Sequence, residues 1–89
     1  MAKIEVGFDS FYSLTDYDGK AAISQFRRMP GVNDLKVYRA VEGKPSYTVI
    51  VDIDDDKIDD MKGKFQSSMA QYTGYISNVN IRVLKDLGI

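Results

Sequence analysis

The chain has no cysteine, no histidine and no tryptophan among its 89 residues, and only two prolines. Without cysteine there can be neither a disulfide framework nor a thiolate metal site, which suits a reducing compartment. Without histidine the commonest general base and the commonest neutral metal ligand are gone, along with every Ser-His-Asp arrangement. Acid–base chemistry would fall to Glu5, Asp52, a tyrosine or a lysine. No stretch approaches the roughly 20 apolar residues that span a bilayer. The segment from Met1 to Val6 has neither the apolar run nor the small-residue cleavage site of a signal peptide. Charge of one sign is also missing: 12 basic and 13 acidic residues leave a net charge of −1, whereas nucleic-acid binders carry a positive field that releases counterions. No GxGxxG or Walker-type loop is present. The absences lead to the expectation of a soluble, cytoplasmic protein with no cofactor, no metal, and neither nucleic acid nor membrane as partner.

What is present is a regular alternation. A hydrophobic content of 44% in 89 residues suffices for one core and predicts a single domain over 1–89. Ile4, Val6 and Phe8 alternate with Lys3, Glu5 and Gly7, the period of a half-buried strand. A connection from Asp9 to Leu14 follows. Thr15 and Asp18 form a shortened capping box for a helix to about Met29, which Pro30-Gly31 stops. Arg27 and Arg28, the densest basic pair, sit where cations meet the negative end of that helix. A second strand over Asp34 to Val41 sets Leu35, Val37 and Arg39 against Lys36, Tyr38 and Ala40. Glu42-Gly43-Lys44-Pro45 reads as a hairpin loop. The third strand, Tyr47 to Ile53, runs into Asp54-Asp55-Asp56, a helix start with acids at its positive end. Ile58, Met61, Phe65, Met69 and Tyr72 form the apolar stripe of that helix, which ends near Gly74. A fourth strand from Tyr75 to Leu84 sets Ser77, Val79, Ile81 and Val83 against Ile76, Asn78, Asn80 and Arg82.

The order β-α-β-β-α-β, two crossovers around a hairpin, predicts the ferredoxin-like α+β fold. It is a four-stranded antiparallel sheet with both helices on one face. The remaining face then presents Lys3, Glu5, Lys36, Tyr38, Thr48, Ile50, Asp52, Asn78, Asn80 and Arg82. Such a face is either solvated surface or the lining of a pocket closed by a second copy. In the second case its charges must pair or hold a ligand. Asp52, Asp54 and Asp56 resemble the opening of a calcium loop. Lys57 and Gly63 stand where such a loop needs glycine and glutamate, so the helix start accounts for them. Among the six tyrosines, Tyr47 and Tyr72 fall in core registers and Tyr17 covers a helix end. Tyr38 points to the polar face, and Tyr12, in the loop after the first strand, could reach its rim.

The run Met29-Pro30-Gly31-Val32, then Val37-Tyr38-Arg39, then Gly43-Lys44-Pro45-Ser46-Tyr47 into Val49-Ile50-Val51-Asp52-Ile53 resembles the central part of dimeric α+β barrel proteins. It is most similar to the EthD-like members, which also share a serine-containing helix end such as Ser67-Ser68-Met69. The resemblance covers roughly residues 20 to 70. It implies a homodimer whose sheets pack face to face around small cavities, in a superfamily of cofactor-independent monooxygenases, isomerases, cyclising enzymes and haem proteins. Several of those activities depend on a histidine, and this chain has none, which argues against haem ligation through histidine.

Three readings follow. In the first, a homodimer binds or transforms a small organic molecule on the open face. Asp52 is then the general base, and Tyr38 supplies stacking or a proton. Arg82 takes a carboxylate by paired hydrogen bonds, with Tyr12, Thr48, Asn78 and Asn80 around the ligand. In the second, the same topology is a non-enzymatic ligand-sensing or assembly module. The third, single-stranded RNA across the sheet, needs two or three exposed aromatics and a basic surround. Tyr38 stands alone there, beside Glu5 and Asp52.

Overall fold

The computed structural model describes residues 2–10, 17–42, 46–71, 74 and 76–89. Strand β1 (Ala2–Ser10) leads through helix α1 (Tyr17–Arg27) to β2 (Val32–Arg39) and β3 (Ser46–Ile53). A 3-10 turn (Asp55–Lys57), helix α2 (Ile58–Gln71) and β4 (Ile76–Lys85) complete the chain. The sheet order is β2-β3-β1-β4 and every pairing is antiparallel. This is the expected ferredoxin-like α+β fold, a four-stranded antiparallel sheet with two helices.

The two central strands carry the core because their apolar residues keep strict period two. Ile4, Val6 and Phe8 on β1 are buried with Tyr47, Val49, Val51 and Ile53 on β3. Across the pairing, Val6 meets Val49, and Phe8 meets Tyr47, whose rings stack at 5.9 Å. From the helices come Phe26 of α1 and Met61 and Phe65 of α2, and the Phe26 and Phe65 rings stack at 4.3 Å. The stripe Ile58, Met61, Phe65 and Met69 packs against this core as its spacing predicts. Tyr72 lies outside the described residues. So do Thr15, the side chains of Tyr17 and Asp18, and residues 43–45.

Coverage fails at the sheet edges. Val37 on β2 and Val79 and Val83 on β4 have core-side register but are 36%, 41% and 40% exposed. The helices bury the apolar residues of the two middle strands more fully than those of the outer ones.

Element ends also differ from the expected ones. Strand β1 continues through Asp9 and Ser10, paired with Ser46, Ser77 and Ile76. Helix α1 stops at Arg27, and Gly31, at φ +87°, makes the turn into β2, a backbone conformation that favours glycine. Its carbonyl accepts from Asp54 N–H at 2.9 Å, tying the start of β2 to the end of β3. The register slips between Val32 and Asp34, so β2 begins two residues earlier than alternation alone suggests. Asp55 and Asp56 begin a 3-10 turn before α2, and Asp54 instead accepts from Asn33 Nδ2 at 2.9 Å.

Strand β4 holds the largest departure. Between Gly7 and Asp9 of β1 the partner positions are Asn80 and Ser77, so β4 has one extra residue. Asn78 absorbs it at φ +55°, as a bulge residue in the left-handed region does. The extra residue exchanges the faces below it. Ile76 packs on the core and Ser77 stands opposite Asp9, the reverse of simple alternation.

Candidate functional site

The face away from the helices is ordered in rows, because residues paired across antiparallel strands share a face. One row reads Tyr38, Thr48, Gly7, Asn80 from β2 to β4. The next reads Lys36, Ile50, Glu5, Arg82, and the one after it Asp34, Asp52, Lys3, Leu84. Gly7 is central to the first row and leaves a gap between Thr48 and Asn80. A β-carbon built at Gly7 would meet nothing within 4 Å. The result is a trough floored by the Gly7 backbone between Thr48 on one side and Asn80 on the other, with Tyr38 beyond Thr48. Glycine inside a strand weakens it and commonly marks close approach of a ligand or another backbone.

The charges on this face are largely matched. Arg82 donates from Nε at 3.0 Å and approaches from Nη2 at 2.9 Å, both to Glu5 Oε1. Lys3 Nζ lies 3.3 Å from Asp52 Oδ1. That distance is an ion pair, yet Asp52 Oδ1 is buried and accepts no hydrogen bond. The ion-pair contact and the unsatisfied oxygen are compatible, since close approach without alignment is a weak bond. Asp34 stands directly across from Asp52, with Lys36 Nζ 4.0 Å from its carboxylate. At the bulge, Asn78 Nδ2 donates to Asp9 Oδ2 at 2.8 Å.

Of the residues singled out from sequence, Tyr38, Thr48 and Asn80 come together in the glycine row. Asn78 lies at its rim, held by Asp9. Arg82 is one row along, engaged with Glu5, so a carboxylate ligand would have to compete with that pair. Asp52 is two rows from Thr48 on the same strand, about 13 Å at the rise of a strand. Tyr38 and Asp52 therefore share a face but are not neighbours within one protomer. Tyr12 lies outside the described residues. Gly7 was the residue that alternation alone passed over, although a glycine between Val6 and Phe8 in the middle of a strand is itself a signal. Among the described residues no group of three or more Asp or Glu is arranged to hold a metal ion. No described helix is long and apolar enough to cross a membrane.

No protein-family model matches the chain, and no curated protein matches it by sequence. Solved structures do. SnoaB, a cofactor-independent oxygenase from Streptomyces nogalater, superposes with a TM-score of 0.72 at 14% identity, covering 99% of this chain and 94% of that one. Rv0793 from Mycobacterium tuberculosis gives 0.72 at 16% identity over 99% and 96%. These neighbours share the ferredoxin-like α+β fold of this chain, a four-stranded antiparallel sheet with two helices. Foldit4, a de novo designed protein, matches as well, with a TM-score of 0.70 at 11% identity over 96% of this chain and 97% of that one. A fold that a designed chain also adopts carries no activity by itself, so function has to be argued from the site.

Proposed function

We propose that the protein is a homodimer that binds or transforms a small organic molecule on the open face of the sheet. The observation that carries this reading is the glycine trough between Tyr38, Thr48 and Asn80. A flat molecule could lie against the backbone at Gly7 with the Tyr38 ring beside it and the Thr48 hydroxyl and Asn80 amide as polar partners. Tyr38 is 52% exposed in a single protomer, and a second copy over this face would enclose it. Asp52, whose buried Oδ1 accepts no hydrogen bond but lies 3.3 Å from Lys3 Nζ, is the group we assign to proton abstraction. Tyr38 would supply a proton or stacking. The fold shared with a cofactor-independent oxygenase is consistent with such chemistry. We read the chain as an EthD-like member of the dimeric α+β barrel superfamily, a reading supported by the Pro30-Gly31-Val32 turn and the Tyr38-Arg39 pair.

The deciding experiment is solution mass by light scattering across a dilution series, followed by a screen of small phenols and quinones for thermal stabilisation and product. A mass near twice 10.0 kDa with stabilisation by a ligand supports the reading, and a persistent monomer sinks it. If product forms, Asp52→Asn should remove turnover and leave folding unchanged. Full activity in that variant takes Asp52 out of the mechanism. Stabilisation without any product supports the alternative of a ligand-sensing module.

A further inference from the structure

On the opposite side of the sheet, where α1 fails to cover the β2 edge, lies an open cavity of about 480 Å³. That is within the range of small-ligand sites. Helix α1 presents Lys20, Ile23, Ser24 and Arg27 to it, positions i, i+3, i+4 and i+7 that form one helical face. Strand β2 contributes Val37 and Arg39, two apart on its helix side, with Tyr38 at the lip and Tyr47 of β3 behind. Three cations therefore line a cavity whose apolar floor is Ile23, Val37 and the Tyr47 ring, and among the described residues no carboxylate lines it.

The convergence is not a by-product of composition. The chain as a whole has net charge −1, yet residues 20–44 hold six basic and two acidic side chains. The acids concentrate instead at the start of α2, in Asp54, Asp55, Asp56, Asp59 and Asp60. Among the described residues no carboxylate pairs with Lys20, Arg27 or Arg39, while Lys3, Lys36 and Arg82 on the open face all have one. Arg27 is held in place, its Nη2 donating to the Leu35 carbonyl at 3.2 Å. A guanidinium fixed by one bond has its remaining N–H groups pre-oriented for an acceptor. Like charges crowded beside apolar surface repel one another, and an anion with an apolar body relieves the repulsion while covering the floor.

The geometry points to a second site in this α1–β2 cavity, one that takes a small aromatic carboxylate. The carboxylate lies among Lys20, Arg27 and Arg39, and the ring lies on Ile23, Val37 and Tyr47. The site lies on the opposite side of the sheet from the open-face trough and shares with it only Tyr38, at the β2 edge.

The test is a titration of the ¹⁵N-labelled protein with 2-naphthoate, and in parallel with neutral 2-naphthol, followed through backbone amide shifts. Saturable shifts should cluster at Lys20, Ser24, Arg27, Val37 and Arg39 with naphthoate, weaken with added salt, and be absent with naphthol. Lys20→Gln combined with Arg39→Gln removes two exposed cations with no carboxylate partner among the described residues, so the fold should be kept, as dispersed amide spectra will report. Its naphthoate affinity should fall about tenfold or more. Absence of saturable shifts, an equal response to naphthol, shifts confined to Thr48 and Asn80, or unchanged affinity in the double variant would each overturn the assignment.

Discussion

Gly7→Ala separates what the fold needs from what the open face does. Gly7 sits in the middle of the central strand β1, between Thr48 and Asn80. Among the described glycines positive φ belongs to Gly31 and Gly88, not to Gly7, and an added β-carbon there meets nothing within 4 Å. Alanine can therefore adopt the native backbone without strain or clash. The substitution acts chiefly on the unfolded chain, which loses conformational freedom, and should stabilise by about 0.4–1 kcal/mol. For a domain of this size that is a rise in Tm of roughly 2–8 °C. The added methyl, however, stands in the floor of the trough, where a ligand plane or a second sheet would rest. Association and ligand stabilisation should weaken while intrinsic stability rises. Thermal unfolding across a dilution series reads both, since association contributes least at the lowest protein concentration. A fall in Tm at that lowest concentration would refute the geometric argument at Gly7. A rise at every concentration with association undiminished would refute the use of the trough.

Two further substitutions test the packing that holds the site. Phe65 is fully buried and stacked on Phe26 at 4.3 Å, so Phe65→Ala should cost about 3–5 kcal/mol in urea unfolding. A loss under about 1 kcal/mol would mean that the two helices do not share this core. At Gly31, φ is +87° and a β-carbon would meet Lys57 Cγ at 2.5 Å. Gly31→Ala should therefore destabilise by about 1–2 kcal/mol or more, the opposite sign to Gly7→Ala, and an unchanged urea midpoint would contradict that turn.

The contrast between those two glycines illustrates how far the sequence can be read. Both interrupt apolar segments, but Gly31 follows a proline at a helix end, a local signal with a known backbone meaning. Gly7 looks like any outward position until its neighbours across the sheet are known. The central strands were legible because Ile4, Val6, Phe8 and the run Tyr47 to Ile53 keep period two without interruption. Strand β4 was legible in place and direction but not in facing. Ser77, Asn78, Val79 and Asn80 alternate on paper, and nothing in their types announces that Asn78 takes φ +55° and turns Ile76 inward. The candidate site was partly legible for the same reason. Tyr38, Thr48 and Asn80 were assigned to the right face by alternation alone. That they share a row, with Asp52 two rows away, follows from register, which depends on pairing between distant segments. The cationic cavity was hidden more deeply. Arg27 has a sufficient local explanation as a helix-end cation, and only the approach of α1 to β2 adds Arg39 to the face it shares with Lys20.

The position of β1 between β3 and β4 has a consequence for how the molecule is made. Its hydrogen-bonding partners on one side lie in the last strand, and the Glu5–Arg82 contact spans 77 residues. During synthesis the first strand must wait, with one edge unpaired, until residues 76–85 have left the ribosome. Contacts of such sequence separation make folding slow relative to a helical protein of equal size. In that interval Ile4, Val6 and Phe8 form an apolar edge able to pair with another chain. The alternating Lys3, Glu5 and Asp9 place on that strand the kind of charge that discourages edge-to-edge pairing.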